Sequence, residues 1–228
     1  MEAIETIEYK NHYIKVYPDD CDQEGPRQWD NLGILLTYHR DYNFNTGEFD
    51  KDIREEFDCH QTREKIEADI IKEYDPIVIA PVYMYEHGII RLKIGSFQGL
   101  LPQGHAEFDS GQIGYILATK KQVREEWKVK RISKKLKQIV EQNLEGEIDT
   151  LDKWTSGQIY GYETENIKKE LIIDSCWSFY DYDYMIQEAK ESIDYRIAEA
   201  KKQKQTKVKT LIKNKVPLLK RNELLQLV

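Results

Sequence analysis

The chain has 228 residues, of which 40% are hydrophobic and 11% aromatic, and its formal net charge is −7. Aromatic and aliphatic side chains this frequent exclude a wholly disordered chain, and 12 glycines with 6 prolines exclude collagen-like and proline-rich sequences. The length suits one large domain or two small ones.

The first half of the chain predicts a hairpin, a third strand and a helix. The predicted strands are residues 4–9, 12–17 and 32–38. Lys10 and Asn11 make a two-residue connection between the first two, which is typical of a β-hairpin. From Asp50 onwards, apolar side chains recur at helical spacing on a charged background. Asp75 and Pro76 should end this helix.

The second half predicts further strands in adjacent pairs, separated by helices. The predicted strands are residues 77–85, 89–94, 113–118, 158–163 and 170–176. Thr119 caps a short helix, with Gln122 in the capping-box position. A longer helix starts at Ser133, and a third runs from Asp181 to about residue 210, before Pro217.

Because the strands occur in adjacent pairs, hairpins in an antiparallel sheet fit better than parallel βαβ units. The sequence therefore predicts an α+β fold, with helices packed on the sheet and a long, partly protruding C-terminal helix. We expect an acidic α+β domain over residues 1–199 and a basic C-terminal helical arm over residues 200–228, here called the basic arm.

The chain start and the cysteines indicate an intracellular, cytoplasmic protein. Residues 1–5 show no basic segment leading into an apolar one, so no secretory signal is expected. The longest nearly apolar run, residues 77–85, is too short to cross a bilayer, so no membrane contact is predicted. Cys21, Cys59 and Cys176 form no CxxC pair, which is typical of a reduced intracellular protein.

Charge is unevenly distributed along the chain. Residues 1–75 hold 20 acidic and 9 basic side chains, and residues 200–221 hold nine basic side chains and no acidic one. Without the basic arm, the acidic domain has a net charge of −15. Such an excess of carboxylates can mimic nucleic acid for a basic partner, or it can serve solubility alone.

Two charged sets are therefore candidate binding surfaces. The acidic residues expected to face a partner protein are Asp19, Asp20, Asp22, Glu24, Asp52, Glu55 and Glu56. The lysines of the basic arm expected to meet nucleic acid are Lys201, Lys202, Lys204, Lys207, Lys209, Lys213 and Lys215. The alternative for these lysines is an ordinary solvated helix end.

Recognised catalytic motifs do not occur in the sequence. It contains no GxxxxGK[ST], GxGxxG or HExxH pattern and no paired cysteines, so neither a cofactor nor a metal site is predicted. The acidic turn that starts at Asp19 lacks the closing glutamate of a calcium loop. We therefore expect a non-enzymatic protein.

One set of polar residues is kept as a candidate catalytic site. It consists of His39, His105, Asp109, Ser110 and Cys176. A nucleophile needs a base within about 3 Å, and either Cys176 with His105 or Ser110 with His39 would supply that pair. Residues 95–109 form a long irregular loop, which is often functional. The alternative is that Cys176 is a buried structural cysteine beside Trp177.

Four segments together resemble a group of uncharacterised proteins encoded by bacteriophages, prophages and plasmids of Gram-positive bacteria. These segments are residues 29–33 (WDNLG), 108–115 (FDSGQIGY), 154–161 (WTSGQIYG) and 174–180 (DSCWSFY). The resemblance covers roughly residues 10–200 and leaves out most of the basic arm. Relatives often have glycine where this chain has Ser178 and Asp181. The resemblance implies a mobile genetic element as the setting, and it supplies no catalytic residue.

Three functions follow as hypotheses. The first is an accessory, anti-defence protein that binds and inhibits a host or defence protein through its acidic surface. The second is a nucleic-acid-binding protein that uses the basic arm. The third is a small hydrolase-like enzyme, which requires the polar residues to converge in one pocket. The apolar stripe along residues 186–200 also offers a face for pairing two copies of the chain.

Overall fold

A computed structural model describes residues 2–19, 25–58, 60–102, 104–168 and 171–221. In this part of the chain the fold is α+β, as predicted. The chain divides into two compact units. Unit 1 combines residues 1–19 with residues 159–228, and unit 2 comprises residues 20–158. The boundary expected at residue 200 lies inside one continuous helix of unit 1, and it stays a prediction.

Unit 1 is an antiparallel sheet covered by a long helix. Its elements are β1 (Glu5–Tyr9), β2 (His12–Pro18), β8 (Tyr160–Asn166), β9 (Leu171–Phe179) and α6 (Tyr182–Lys213). The strand order is β1-β2-β8-β9. The predicted first hairpin is confirmed, because Lys10 and Asn11 take positive φ angles of 49° and 60°, as a type I′ turn requires.

Helix α6 packs on this sheet with its first three turns. Asp181 caps it by accepting a hydrogen bond from the Tyr184 amide at 2.8 Å. Its buried side chains are Met185, Ile186, Ala189 and Ile193, which pack against strand residues such as Ile14, Val16 and Tyr162. The sheet of the same chain therefore covers Ile186, Ala189 and Ile193 of the predicted pairing stripe, and pairing of two copies stays a prediction.

Trp177 lies over the neighbouring strand at Gly161. A Cβ atom on Gly161 would lie 2.1 Å from the indole ring, so only glycine leaves room for this packing. The next residue, Ser178, has a φ of 65°, in the region that favours glycine.

Unit 2 is a five-stranded sheet with a helix on each face. Its strands are β3 (Ile34–Thr37), β4 (Lys51–Asp52), β5 (Pro76–Glu86), β6 (Ile90–Ile94) and β7 (Ser110–Thr119). Its helices are α1 (Ile53–Glu56), α2 (Arg63–Tyr74), α3 (His105–Phe108), α4 (Lys120–Glu126) and α5 (Lys134–Thr155). The strand order is β4-β3-β7-β5-β6, in which only the β3–β4 pair among the described strands is parallel.

The two faces of this sheet follow from the alternation of side chains along β3. Leu35 packs in the core that contains α5, through side chains such as Val140 and Leu144. Ile34 and Leu36 point to the opposite core, which contains α2. Each fully buried aliphatic side chain contributes roughly 1.5–3 kcal/mol to folding.

The predicted helix from Asp50 differs from the structure, which has two helices there. Phe57 leaves helical geometry at φ −134° and ψ 148°, and its ring is buried among the apolar residues around α2. The burial of this ring explains the break between α1 and α2. The local signals elsewhere are confirmed: Thr119 and Gln122 form the capping box of α4, and Ser133 caps α5.

Arg27 is a buried cation that links the segment before β3 to α5. Its guanidinium donates to Asp50 Oδ1 at 2.7 Å and to Glu147 Oε2 at 2.7 Å. It also donates to the Gly33 carbonyl at 2.6 Å. The side chains of Arg27 and Asp50 are only 2% and 1% exposed. No sequence pattern indicates this network, since its members lie up to 120 residues apart.

None of the helices in the described residues is long and apolar enough to cross a bilayer.

Candidate functional site

Two histidines and one aspartate meet at one end of the sheet of unit 2. His87 follows β5, and Asp109 precedes β7. The register of these antiparallel strands pairs Tyr85 with Ser110, and the Glu86 amide donates to the Asp109 carbonyl at 2.9 Å. The pairing of β5 with β7 thus brings His87 beside Asp109.

His105 reaches the same place through α3. It stands four residues before Asp109, and the Asp109 amide donates to its carbonyl at 2.9 Å. One helical turn places side chains four residues apart on the same face. The ring of His105 also meets the ring of His87 edge-on, with centroids 5.0 Å apart.

The three side chains form a compact polar cluster, here called the histidine cluster. His87 Nδ1 lies 3.1 Å from Asp109 Oδ2, and His105 Nδ1 lies 3.7 Å from the same oxygen. One ligand atom from each residue lies within 4.8 Å of the others. His87 is exposed, and the other two are half-buried.

A cavity of about 480 Å³ borders the histidine cluster. Asp109 and Ser110 line it on one side, together with Phe108. His39 lines it as well, and its ring stacks on Tyr42 with centroids 5.1 Å apart. Three residues of the predicted polar set therefore share one cavity, and His105 joins it through its contact with Asp109.

The nucleophile–base pairs proposed for this set do not form within the described contacts. The Ser110 hydroxyl donates to the Ala106 carbonyl at 2.5 Å, and His39 Nδ1 accepts from the Asp41 amide. Cys176 belongs to β9 of unit 1 and is exposed. The expectation of a buried cysteine there is wrong, because β9 lies at the edge of its sheet.

His87 lies between the predicted strands 77–85 and 89–94, and no sequence pattern singled it out. The hairpin signal at residues 86–88 is local, whereas the contact with Asp109 depends on the pairing of β5 with β7. No motif spacing in the sequence reports that pairing.

The predicted acidic surface is only partly a surface. Asp19 is 7% exposed, and its carboxylate accepts a hydrogen bond from the Ser178 amide at 2.6 Å. The assignment of Asp19 to the surface is wrong, because its side chain is buried and bonds to strand β9 of the same unit. Asp52 pairs with Arg54 at 2.8 Å, and Glu56 pairs with Lys51 at 3.0 Å.

Of the other predicted acidic residues, one is at the surface and three lie outside the described residues. Glu55 is exposed. Asp20, Asp22 and Glu24 lie outside the described residues. Their role in partner binding stays a prediction.

The lysines of the basic arm point to solvent. Six of the seven are exposed, and Lys207 is half-buried. Among the described residues, the one ion pair in this segment is Lys202 with Glu199, at 3.4 Å. The described hydrogen bonds of residues 200–215 stay within α6 and the turn that follows it.

A second, larger cavity of unit 2 is here called the acidic groove. It measures about 1060 Å³, and its lining includes Trp29, Phe49, Asp30, Glu125 and Glu126. Trp29 is 49% exposed and Phe49 57% exposed. Its one described cationic lining residue is Lys121.

No family model, curated protein or solved structure matches the chain. The resemblance to proteins of mobile genetic elements therefore stays a prediction.

Proposed function

We propose that the protein binds nucleic acid through the basic arm. The observation that carries this proposal is the exposure of the lysines along the second half of α6, where residues 200–221 contain no acidic side chain. Cations that pair with carboxylates of their own chain are poorly available to a ligand. These lysines have one such described pair, between Lys202 and Glu199.

The spacing of the lysines adds a second argument. Lys201, Lys204 and Lys207 follow each other at intervals of three residues, and Lys209 and Lys213 are four apart. Like charges at these spacings lie on one helix face and destabilise a helix by roughly 0.2–0.5 kcal/mol a pair. Phosphates along the arm would relieve this repulsion.

The net charge of −7 does not oppose such binding at close range. α6 continues for 19 residues past Asp194, the last residue described in contact with β1, which corresponds to about 28 Å of helix. Charges are screened over about 8 Å at physiological salt. The outer lysines are therefore screened from the carboxylates on the sheet of unit 1.

The test is the affinity for a short DNA duplex, measured by fluorescence anisotropy at about 0.1 M salt. Each lysine–phosphate contact contributes about tenfold under these conditions, so Lys204→Gln, Lys207→Gln and Lys209→Gln combined should weaken binding by roughly 100-fold or more. Glutamine keeps helix propensity close to that of lysine, so the helix is retained.

The matched control removes the same charge from another helix. Lys134, Lys135 and Lys137 are exposed at the start of α5, and their combined substitution by glutamine should leave the affinity within a few-fold of the wild type. An equal loss in the control, or no binding by the wild type, would refute the basic arm as the nucleic-acid site.

A basic partner protein is the second candidate, favoured by the acidic groove. Exposed aromatic side chains such as Trp29 and Phe49 are typical anchors of protein interfaces. The carboxylates of Asp30, Glu125 and Glu126 would select a basic segment of the partner. This candidate keeps the accessory, partner-binding role of the first sequence-based hypothesis, with a different set of carboxylates from those first predicted.

Capture from a lysate of a Gram-positive bacterium separates the two candidates. A stoichiometric, nuclease-resistant partner that is lost with Phe49→Ala would support the acidic groove. Nuclease-sensitive capture that is lost with the triple lysine variant would support the basic arm.

A further inference from the structure

We propose that the histidine cluster of His87, His105 and Asp109 binds a divalent transition metal of the zinc class. The proposal concerns unit 2 and is independent of nucleic-acid binding by the basic arm. The spacing 87–105–109 matches none of the metal motifs sought in the sequence, so only the folded chain brings the three ligands together.

The ligand set is held by backbone hydrogen bonds of its own elements. The Glu86 amide bonds to the Asp109 carbonyl, and the Asp109 amide bonds to the His105 carbonyl, both at 2.9 Å. These bonds fix three adjoining backbone positions before any ion arrives. A preformed site of this kind loses little conformational entropy on binding.

The distances between ligand atoms fit a small four-coordinate ion. Ligands about 2.1 Å from a tetrahedral zinc ion lie about 3.4 Å from one another. Asp109 Oδ2 lies 3.1 Å from His87 Nδ1 and 3.7 Å from His105 Nδ1, on either side of this value. All three ligand atoms lie within 4.8 Å of one another, close enough for side-chain rotation to direct them at one ion.

The donor types select the metal. Two imidazoles and one carboxylate suit zinc and neighbouring first-row ions, whereas calcium and magnesium prefer oxygen ligands alone. Three protein ligands leave the fourth position for water or a small ligand, which is the arrangement of reactive rather than structural zinc sites. Since Asp109 also lines the 480 Å³ cavity, a ligand of the metal would have space beside it.

The hydroxyl of Tyr85 competes with a metal ion for His105. Its hydroxyl lies 3.3 Å from His105 Nδ1, the nitrogen nearest to Asp109. A metal on that nitrogen would displace the tyrosine hydroxyl. Tyr85→Phe should therefore bind the metal at least as tightly as the wild type, although it removes a polar neighbour of the cluster.

The experiment titrates the full chain with Zn²⁺ by calorimetry and with Co²⁺ by absorption spectroscopy. One ion should bind per chain. Mutating a residue that only hydrogen-bonds to a metal ligand lowers metal affinity by about 10–100-fold. Losing a ligand itself should lower it at least as much, so His87→Gln and Asp109→Asn should each weaken binding by about 100-fold or more. His60→Gln, at an exposed histidine of unit 2 outside the cluster, should leave the affinity unchanged.

Three results would overturn the proposal. They are no zinc binding by the wild type up to about 100 μM, unchanged affinity in His87→Gln or Asp109→Asn, and a thiolate charge-transfer band in the wild-type cobalt spectrum. The last would assign the ion to cysteine, and it decides the question even where a variant fails to fold by circular dichroism. A four-coordinate cobalt spectrum without that band supports the histidine cluster.

Discussion

Residues 1–75 carry a net charge of −11 and residues 200–221 carry one of +9, but the fold uses these two sets of charges differently. Asp19, Asp50 and Asp52 each bond to groups of their own unit. The lysines of residues 201–215 extend into solvent with little described pairing. The number of charges in a segment therefore does not indicate how many of them a partner can reach.

The largest loss of stability is expected when the buried cation Arg27 is removed. Arg27→Gln would leave the buried carboxylate of Asp50 without its cation. Removing one partner of a buried ion pair costs about 3–5 kcal/mol of stability. Chemical denaturation should show that loss in unit 2, whereas Arg40→Gln, in an exposed pair with Asp41, should leave stability unchanged. A loss below about 1 kcal/mol in Arg27→Gln would mean that the network adds little to folding.

A smaller effect is expected at Asp19. Asp19→Ala removes the carboxylate that accepts the hydrogen bond from the Ser178 amide, and a hydrogen bond to a charged group contributes about 1.5–3 kcal/mol to stability. Thermal unfolding of unit 1 should report this loss. Glu55→Ala, at an exposed acidic residue, should stay within about 0.5 kcal/mol of the wild type. Equal behaviour of the two variants would remove the distinction between buried and surface carboxylates.

At Ser178, the hydrogen-bond partner of Asp19, we expect a substitution that stabilises unit 1. Ser178 has a φ of 65°, a conformation that costs a residue with a Cβ atom about 1–2 kcal/mol. Replacing it with glycine removes this cost, but part of the benefit is lost because glycine is more flexible in the unfolded chain. Ser178→Gly should raise the free energy of unfolding by about 0.5–1 kcal/mol. A destabilised variant would show that the serine side chain contributes more than its backbone strain costs.

The smallest effect concerns Asp52, whose pKa is held below its ordinary value of 3.8 by the hydrogen bond from the Arg54 side chain. The charged carboxylate therefore stabilises the fold above pH 3.8, and this contribution disappears as the pH falls through the lowered pKa. An NMR titration of the Asp52 carboxyl should place its midpoint below 3.8, and Arg54→Gln should raise it. An unchanged midpoint would mean that Arg54 leaves the Asp52 charge available to a partner.

The sequence predicted the local features of this fold and missed the distant ones. The turn at Lys10, the cap at Thr119 and the helix starts at Ser133 and Asp181 depend on residues within a few positions of each other, and all four are confirmed. The pairing of β2 with β8 joins residues about 150 positions apart and builds unit 1 from both ends of the chain. No periodicity in the sequence reports such a pairing.

The candidate site divides in the same way. Asp109 and His105 lie four residues apart and could be grouped from the sequence, and His39 was grouped with them by residue type. His87 and the Arg27 network depend on strand register and on contacts between distant segments. Tertiary pairing therefore decided which histidine completes the histidine cluster.

The most direct test of the central claim is the salt dependence of DNA binding by the wild type and by the triple lysine variant of the basic arm. If the exposed lysines neutralise phosphates, the slope of log Kobs against log salt concentration should be about −5 for the wild type and less steep by about 2.7 for the variant. Identical slopes in the two proteins would contradict the claim that the charge of the basic arm is the charge a partner reaches.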